Sequence, residues 1–209
     1  VHFPIWHPEI EDILVLKNNK GTEDNRVRRM DYSIQISKLF YERFINEEDI
    51  TLISPHMAPG LYEAFGTDEF DDLYLKYEAD KTIPKKKVSA QDLFFDLLKE
   101  RAETGRIYIM NLDHCNSHSS FKDKVSMSNL CQEITLPTTP IQDIHDEQGE
   151  IALCILSAVN VGALNDLSEL ENICDLSVRA LEQIIDYQDY PVRAAEVSTK
   201  KRRSLGIGY

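Results

Sequence analysis

Between Ser89 and Asn111 the hydrophobic period changes from that of a helix to that of a strand, and this succession limits the fold more than any other feature. Ser89 is placed as an N-cap, with Asp92 three residues on. Leu93, Phe94, Leu97 and Leu98 share the inward face of the helix it opens, and Gly105 is positioned as its C-terminal cap. Residues 106–111 then form a strand candidate. The same alternation recurs along the chain. Helices are predicted over 8–16, over 32–45 with Ile36, Leu39, Phe40 and Phe44 at helical spacing, briefly over 61–65, and over 68–79. The longest is predicted over 168–187. Strands are predicted over 50–54 and over 150–157, the latter apolar enough to be buried on both faces. Helices interleaved with short buried strands predict an α/β fold with a largely parallel sheet.

At 209 residues and 42% hydrophobic content the chain can bury a sizeable core in one or two domains. Its formal net charge of -13 argues against a surface devoted to nucleic acid or anionic lipid, since either needs a basic face. The two basic runs, Lys85-Lys86-Lys87 and Lys200-Lys201-Arg202-Arg203, are expected to be solvated loops. No apolar run approaches the ~20 residues that span a bilayer and no secretory pattern opens the chain, so a cytoplasmic protein is expected. The chain starts without Met inside the apolar stretch at residues 1–6 and stops at Leu205-Gly206-Ile207-Gly208-Tyr209, which reads as the opening of a buried strand. Both ends are therefore expected to be internal to a longer protein.

Four cysteines, Cys115, Cys131, Cys154 and Cys174, lie far apart without a C-x-x-C pair, which argues against a zinc site or a disulfide framework. Cys174 falls on the apolar face of the longest helix with Leu170, Ile173, Leu181 and Ile184, and Cys154 reads as a small buried hydrophobe on an apolar segment. Asp113, His114, Cys115 and His118 are crowded into six positions, which suits no standard metal spacing, and a loop packing motif is expected there. A polar loop over 113–128 leads into a segment, 129–136, expected to be extended. Alternation would then bring Asn129, Cys131 and Glu133 out on one face, roughly 6.6 Å apart. An amide, a thiol and a carboxylate in a row suit a sugar with adjacent hydroxyls. An ordinary strand with a buried cysteine and polar neighbours fits the same spacing.

The segment Ser128-Asn129-Leu130-Cys131-Gln132-Glu133-Ile134 resembles the finger loop of the large, catalytic (alpha) subunits of aerobic class I, class Ia-like, ribonucleotide reductases. Further stretches match that family in its order: Leu52-Ile53-Ser54-Pro55-His56, Pro59-Gly60-Leu61-Tyr62, Thr104-Gly105-Arg106-Ile107-Tyr108-Ile109, Asp113-His114-Cys115-Asn116, Gly149-Glu150-Ile151-Ala152-Leu153-Cys154 and Asp186-Tyr187-Gln188-Asp189-Tyr190-Pro191. The resemblance covers essentially the whole chain as an internal fragment of the catalytic barrel domain. The loop at 119–128 is shorter than in common bacterial members.

The resemblance implies part of a ten-stranded α/β barrel with a central finger loop, and reduction of ribonucleoside diphosphates to their deoxy forms for DNA precursor synthesis. By resemblance, Cys131 is the thiyl-radical cysteine that removes the 3′ hydrogen. Glu133 takes the 3′-hydroxyl proton and Asn129 orients the ribose. Cys154 is one half of the redox pair, its partner lying N-terminal to these residues. The resemblance implies no cofactor or metal bound directly by this fragment, a small (beta) subunit whose metal–tyrosyl site supplies the radical, an external thiol reductant (thioredoxin or glutaredoxin), and an oligomeric, allosteric enzyme. It also implies that the regulatory region, phosphate loop and C-terminal thiol pair lie outside the chain, so the fragment alone is expected to be inactive. An alternative keeps the family but makes the chain an inactive or split-subunit piece that is only structural, or that docks a partner through the Ile36, Leu39, Phe40 stripe.

Overall fold

The computed structural model describes residues 1–209, which divide into two units, Val1–Thr135 and Leu136–Tyr209. The first unit runs β1 (His2–Pro4), α1 (Ile10–Leu14), β2 (Tyr32–Ile36), α2 (Lys38–Ile45), β3 (Asp49–Ile53), α3 (Leu61–Ala64), α4 (Phe70–Ala79), β4 (Lys85–Ser89), α5 (Ala90–Thr104), β5 (Ile107–Asn111) and α6 (Leu112–Ser117). Its central sheet is parallel in the order β1-β2-β5, with His2 opposite Ser33 and Ser33 opposite Tyr108. The mixed α/β class and the parallel sheet are as expected. The largest sheet has three strands, and the chain itself does not close a barrel.

Residues 32–36 are a strand, not the first turns of a helix. Tyr32, Ile34 and Ile36 alternate with Ser33 and Gln35, a period of two that puts the apolar side chains on one face and the polar ones on the other. All five are buried, so the strand is central and covered on both faces. Ser37 then caps α2, its hydroxyl accepting from the Phe40 amide. This split overturns the expected docking stripe, because Ile36 and Phe40 are core and only Leu39 is partly exposed.

The apolar face of the sheet is covered by helices. Tyr32 donates its hydroxyl to the Ile13 and Leu14 carbonyls at the end of α1, at 2.8 and 3.1 Å. The expected capping of α5 is present: Ser89 Oγ accepts from the Asp92 amide, and Gly105 ends the helix at φ +66°, a conformation that favours glycine. Leu93 and Leu97 are buried as expected, Phe94 only partly, whereas Leu98 lies on the solvent side.

The lysine run at 85–87 is not a loop. It forms β4, paired antiparallel with β3, because the buried β3 backbone needs a ladder partner. Lysines on that edge strand hinder further strand addition. Beside the β3–β4 pair, Arg43 grips Glu78 through two hydrogen bonds, Nη1 to Oε1 at 2.6 Å and Nη2 to Oε2 at 2.5 Å, and lies 5.3 Å from the Tyr74 ring centre. Burial pushes the Glu78 carboxyl up, but Arg43 and Thr51 together hold it below the usual carboxylate range.

The second unit contains β6 (Ile155–Ala158), α7 (Leu170–Tyr187), α8 (Arg193–Arg202) and β7 (Leu205–Gly208), with β6 and β7 parallel. The doubly buried strand expected over 150–157 is shorter and more open. Regular pairing starts at Ile155, and Leu156 is 59% exposed because β7 is the sole ladder partner of β6. In α7, the longest helix, Leu181 and Ile185 are the buried positions, while Ile184 faces out and Cys174 is half-buried. No helix is long and apolar enough to cross a membrane.

The second basic run is also structured: it ends α8 and is fully ion-paired. Glu150, buried, receives Lys201 Nζ at 2.5 Å and Arg202 Nη2 at 2.7 Å, and Arg203 pairs with Glu182 and Asp186. Replacing Glu150 with Ala leaves the buried Arg202 guanidinium without its carboxylate. The expected cost is about 3–5 kcal/mol. It should appear as a loss of hydrogen-exchange protection of roughly 10²-fold or more at Ile151, Ile155 and Val159, whose amides donate to Ala194, Ser204 and Gly208. Unchanged protection would show that the ion pairs do not hold this unit together.

Candidate functional site

The register of the three-stranded sheet brings His2 (β1), Ser33 and Gln35 (β2), and Tyr108 and Met110 (β5) onto one face. Ser33 and Gln35 are almost wholly buried. Burying hydroxyl and amide groups is costly unless they find partners; here Ser33 pairs with His2, Gln35 Oε1 has none, and Gln35 Nε2 finds one on a length of chain laid across that face.

Three side chains carry it, one from each side of the sheet and one from its middle. Asn116, on α6 beyond β5, both donates to the Val125 carbonyl (3.0 Å) and accepts from the Val125 amide (2.8 Å), replacing a strand partner. Gln35 Nε2 donates to the Ser126 carbonyl at 2.8 Å. His2 bridges Ser33 Oγ on its Nδ1 side (2.5 Å) and the Ser128 carbonyl on its Nε2 side (2.9 Å). The segment at 125–128 therefore crosses β5, β2 and β1 in turn. Nε2 also lies 3.3 Å from the Ser128 amide, so the neutral ring engages Ser128 in either tautomer: with the proton on Nε2 it donates to the carbonyl, and with the proton on Nδ1 it donates to Ser33 and accepts from the amide. Burial pushes the His2 imidazole down, which favours this neutral ring.

Beyond the crossing the chain turns. Gln132 takes φ +65° and its amide reaches the Asn129 carbonyl at 3.3 Å. Asn129 Oδ1 accepts from the Ile134 amide at 3.0 Å, and Ser128 Oγ donates to the Ile134 carbonyl at 2.8 Å. These bonds cinch the base of a loop over 129–133 and replace the ladder that a strand would need. The extended segment expected over 129–136 is thus not formed, and strand alternation is not what presents Asn129, Cys131 and Glu133. They nevertheless occur together on one short loop, all three exposed. With Oδ1 accepting from the Ile134 amide, Asn129 keeps both Nδ2 protons to offer a ligand. Beneath the loop is a cavity of about 190 Å³, lined by His2, Ser33, Tyr108, Asn129 and Gln132 among others. Gln132 Nε2 is buried and has no hydrogen-bond partner.

Cys154 lies in the second unit, half-buried, one residue before β6. Asp113, His114 and Cys115 sit on α6 and His118 caps its C-terminal end, and no three such side chains converge as a metal-holding group. Asp113 Oδ2 accepts from the Lys38 amide at the start of α2 (2.5 Å), burial pushing its carboxyl up. The His114 and His118 rings meet edge to face, and Cys115, its thiol likewise pushed up by burial, packs against the core.

Sequence reasoning missed His2, Ser33, Gln35 and Asn116, none of which belongs to the loop they hold. A signal existed for two of them: polar residues alternating with Tyr32, Ile34 and Ile36 mark the second face of a buried strand.

The family described as ribonucleotide reductase, barrel domain, matches residues 1–209. The chain is 58% identical to the ribonucleoside-diphosphate reductase subunit alpha of Haemophilus influenzae, covering 100% of this chain and 28% of that protein. It is 57% identical to the ribonucleoside-diphosphate reductase 1 subunit alpha of Escherichia coli K12 (99% and 28%), and 44% identical to the subunit alpha of enterobacteria phage T4 (99% and 28%). The chain thus spans little more than a quarter of the length of these relatives. Matched over its whole length at this identity, it belongs to the ribonucleotide reductase barrel domain family.

Proposed function

We propose that these residues form the radical-bearing part of a ribonucleoside-diphosphate reductase large subunit, and that the parallel strands β1, β2 and β5 contribute to its ten-stranded barrel. The observation that carries the proposal is the cinched loop at 128–134, which holds an exposed thiol, an amide donor and a carboxylate over the polar face of the sheet. The 190 Å³ cavity and the unpartnered Gln132 amide beside it suit a ligand rich in hydroxyls.

In this reading Cys131, as a thiyl radical, takes the 3′ hydrogen of the ribose and becomes a thiol. Glu133 accepts the 3′-hydroxyl proton, and Asn129 Nδ2 donates to a ribose hydroxyl and fixes the sugar's orientation. The 2′-hydroxyl takes one proton from the cysteine pair and leaves as water, the pair's other hydrogen goes to the 2′ carbon, and Cys131 finally returns its hydrogen to the 3′ carbon and recovers the thiyl radical. Cys154 and a partner cysteine outside this chain supply two electrons to the 2′ carbon and end as a disulfide, which an external thiol reductant reopens. The metal–tyrosyl site of the small subunit supplies the oxidation that creates the radical. In this reading that site belongs to the small subunit, and this chain binds no cofactor directly.

The test uses the full-length large subunit with its small subunit and a dithiol reductant. Glu133→Gln, which keeps the size of the side chain and removes the base, should lower kcat for nucleoside diphosphate reduction by about 10²–10⁴-fold. Activity within about threefold of the parent would remove Glu133 from the chemistry.

A further inference from the structure

We infer that His2 is a positioning residue for the Cys131 loop, acting through Ser128; the inference rests on the reading of Cys131 as the reacting thiol. His2 lies far from that loop in sequence, yet it is the last of the three supports before the turn. The other two, Asn116 and Gln35, hold Val125 and Ser126, upstream of the cinched base. His2 holds Ser128, whose own hydroxyl closes that base on Ile134. Any shift of the Ser128 carbonyl is therefore passed directly to the loop that carries Cys131.

The ring is fixed at both nitrogens. Nδ1 is bonded to Ser33 and Nε2 lies within reach of both the carbonyl and the amide of Ser128, so the ring plane is set by β2, a strand buried on both faces. The register places Ser33 directly opposite His2. A linkage of strand, hydroxyl, imidazole and loop carbonyl gives Cys131 a rigid reference on the sheet although its own side chain is exposed. Radical hydrogen transfer needs close alignment of sulfur and carbon, and displacements of about 1 Å cost roughly 10²-fold in rate.

The test is made in the complete enzyme, where turnover by the parent and its loss in Cys131→Ser first check the reading of the thiol. His2→Ala should then lower kcat by about 10²-fold while KM stays within about twofold. His2→Gln, whose amide can still donate to the Ser128 carbonyl, should recover at least about tenfold of that loss, and Ser33→Ala should cost about 3–10-fold. Amide exchange over residues 128–134 should rise at least about tenfold in His2→Ala, a readout independent of activity. A kcat within about twofold of the parent in His2→Ala, unchanged exchange over 128–134, or no recovery in His2→Gln would each overturn the inference. If His2→Ala fails to fold, Ser33→Ala decides: a fall in kcat at constant KM supports the linkage, and an unchanged kcat refutes it. An inactive parent with increased exchange in His2→Ala would count against the function and leave the loop anchor standing.

Discussion

In the full-length large subunit, Cys131→Ser should lower nucleotide reduction by at least about 10³-fold, with substrate affinity within about twofold of the parent. Serine and cysteine differ little in size, and the Cys131 side chain takes no part in the hydrogen bonds that close the loop, which run between Ser128, Asn129, Gln132 and Ile134. The loop should therefore keep its shape. What changes is the bond to hydrogen: the O–H bond is much stronger than S–H, so an upstream radical cannot be passed to the hydroxyl. Steady-state turnover together with equilibrium binding of the substrate separates the two effects. Turnover within about tenfold of the parent would end the assignment of Cys131 as the radical site.

Cys154→Ser should behave differently. The radical step can begin, because Cys131 is intact, but no disulfide can form at position 154. Sustained turnover with a dithiol reductant should fall by at least about 10²-fold, while a single encounter still consumes substrate and yields products other than the deoxynucleotide. Cys154 is half-buried and its thiol lies 3.8 Å from the adjacent Ile155 carbonyl, a contact that a serine hydroxyl can also make. Normal multiple turnover in that variant would place the reducing pair elsewhere.

How much of this could be read from the chain depended on whether a signal was local. The caps of α5 were legible because each is local: Ser89 acts on Asp92 within one turn, and Gly105 ends the helix by its own backbone conformation. The helix predicted over 32–45 failed because two periods meet there. Ile36, Phe40 and Phe44 do fall at helical spacing, but the alternation of Tyr32, Ile34 and Ile36 with Ser33 and Gln35 is the stronger pattern, and Ser37 marks the boundary. The lysines of β4 are strand because β3 lies beside them, a fact no window of sequence contains. At the candidate site, Asn129, Cys131 and Glu133 were named by family resemblance, and the extended geometry expected of them is not formed. An extended segment needs a neighbouring ladder, and this one is instead supported by side chains from β1, β2 and α6, at sequence separations up to 126 residues. Only the fold brings those supports together.

Asn116 has a consequence for how this region can change over evolution. By binding both polar groups of Val125 it fastens the two ends of the stretch at 117–124 to each other, independently of that stretch's own path. Residues can be added or lost inside the bracket without moving Val125 along the sheet, so the register of everything downstream, the thiol loop included, is insulated from them. Variation in length before the loop and constancy within it are then compatible outcomes of one asparagine.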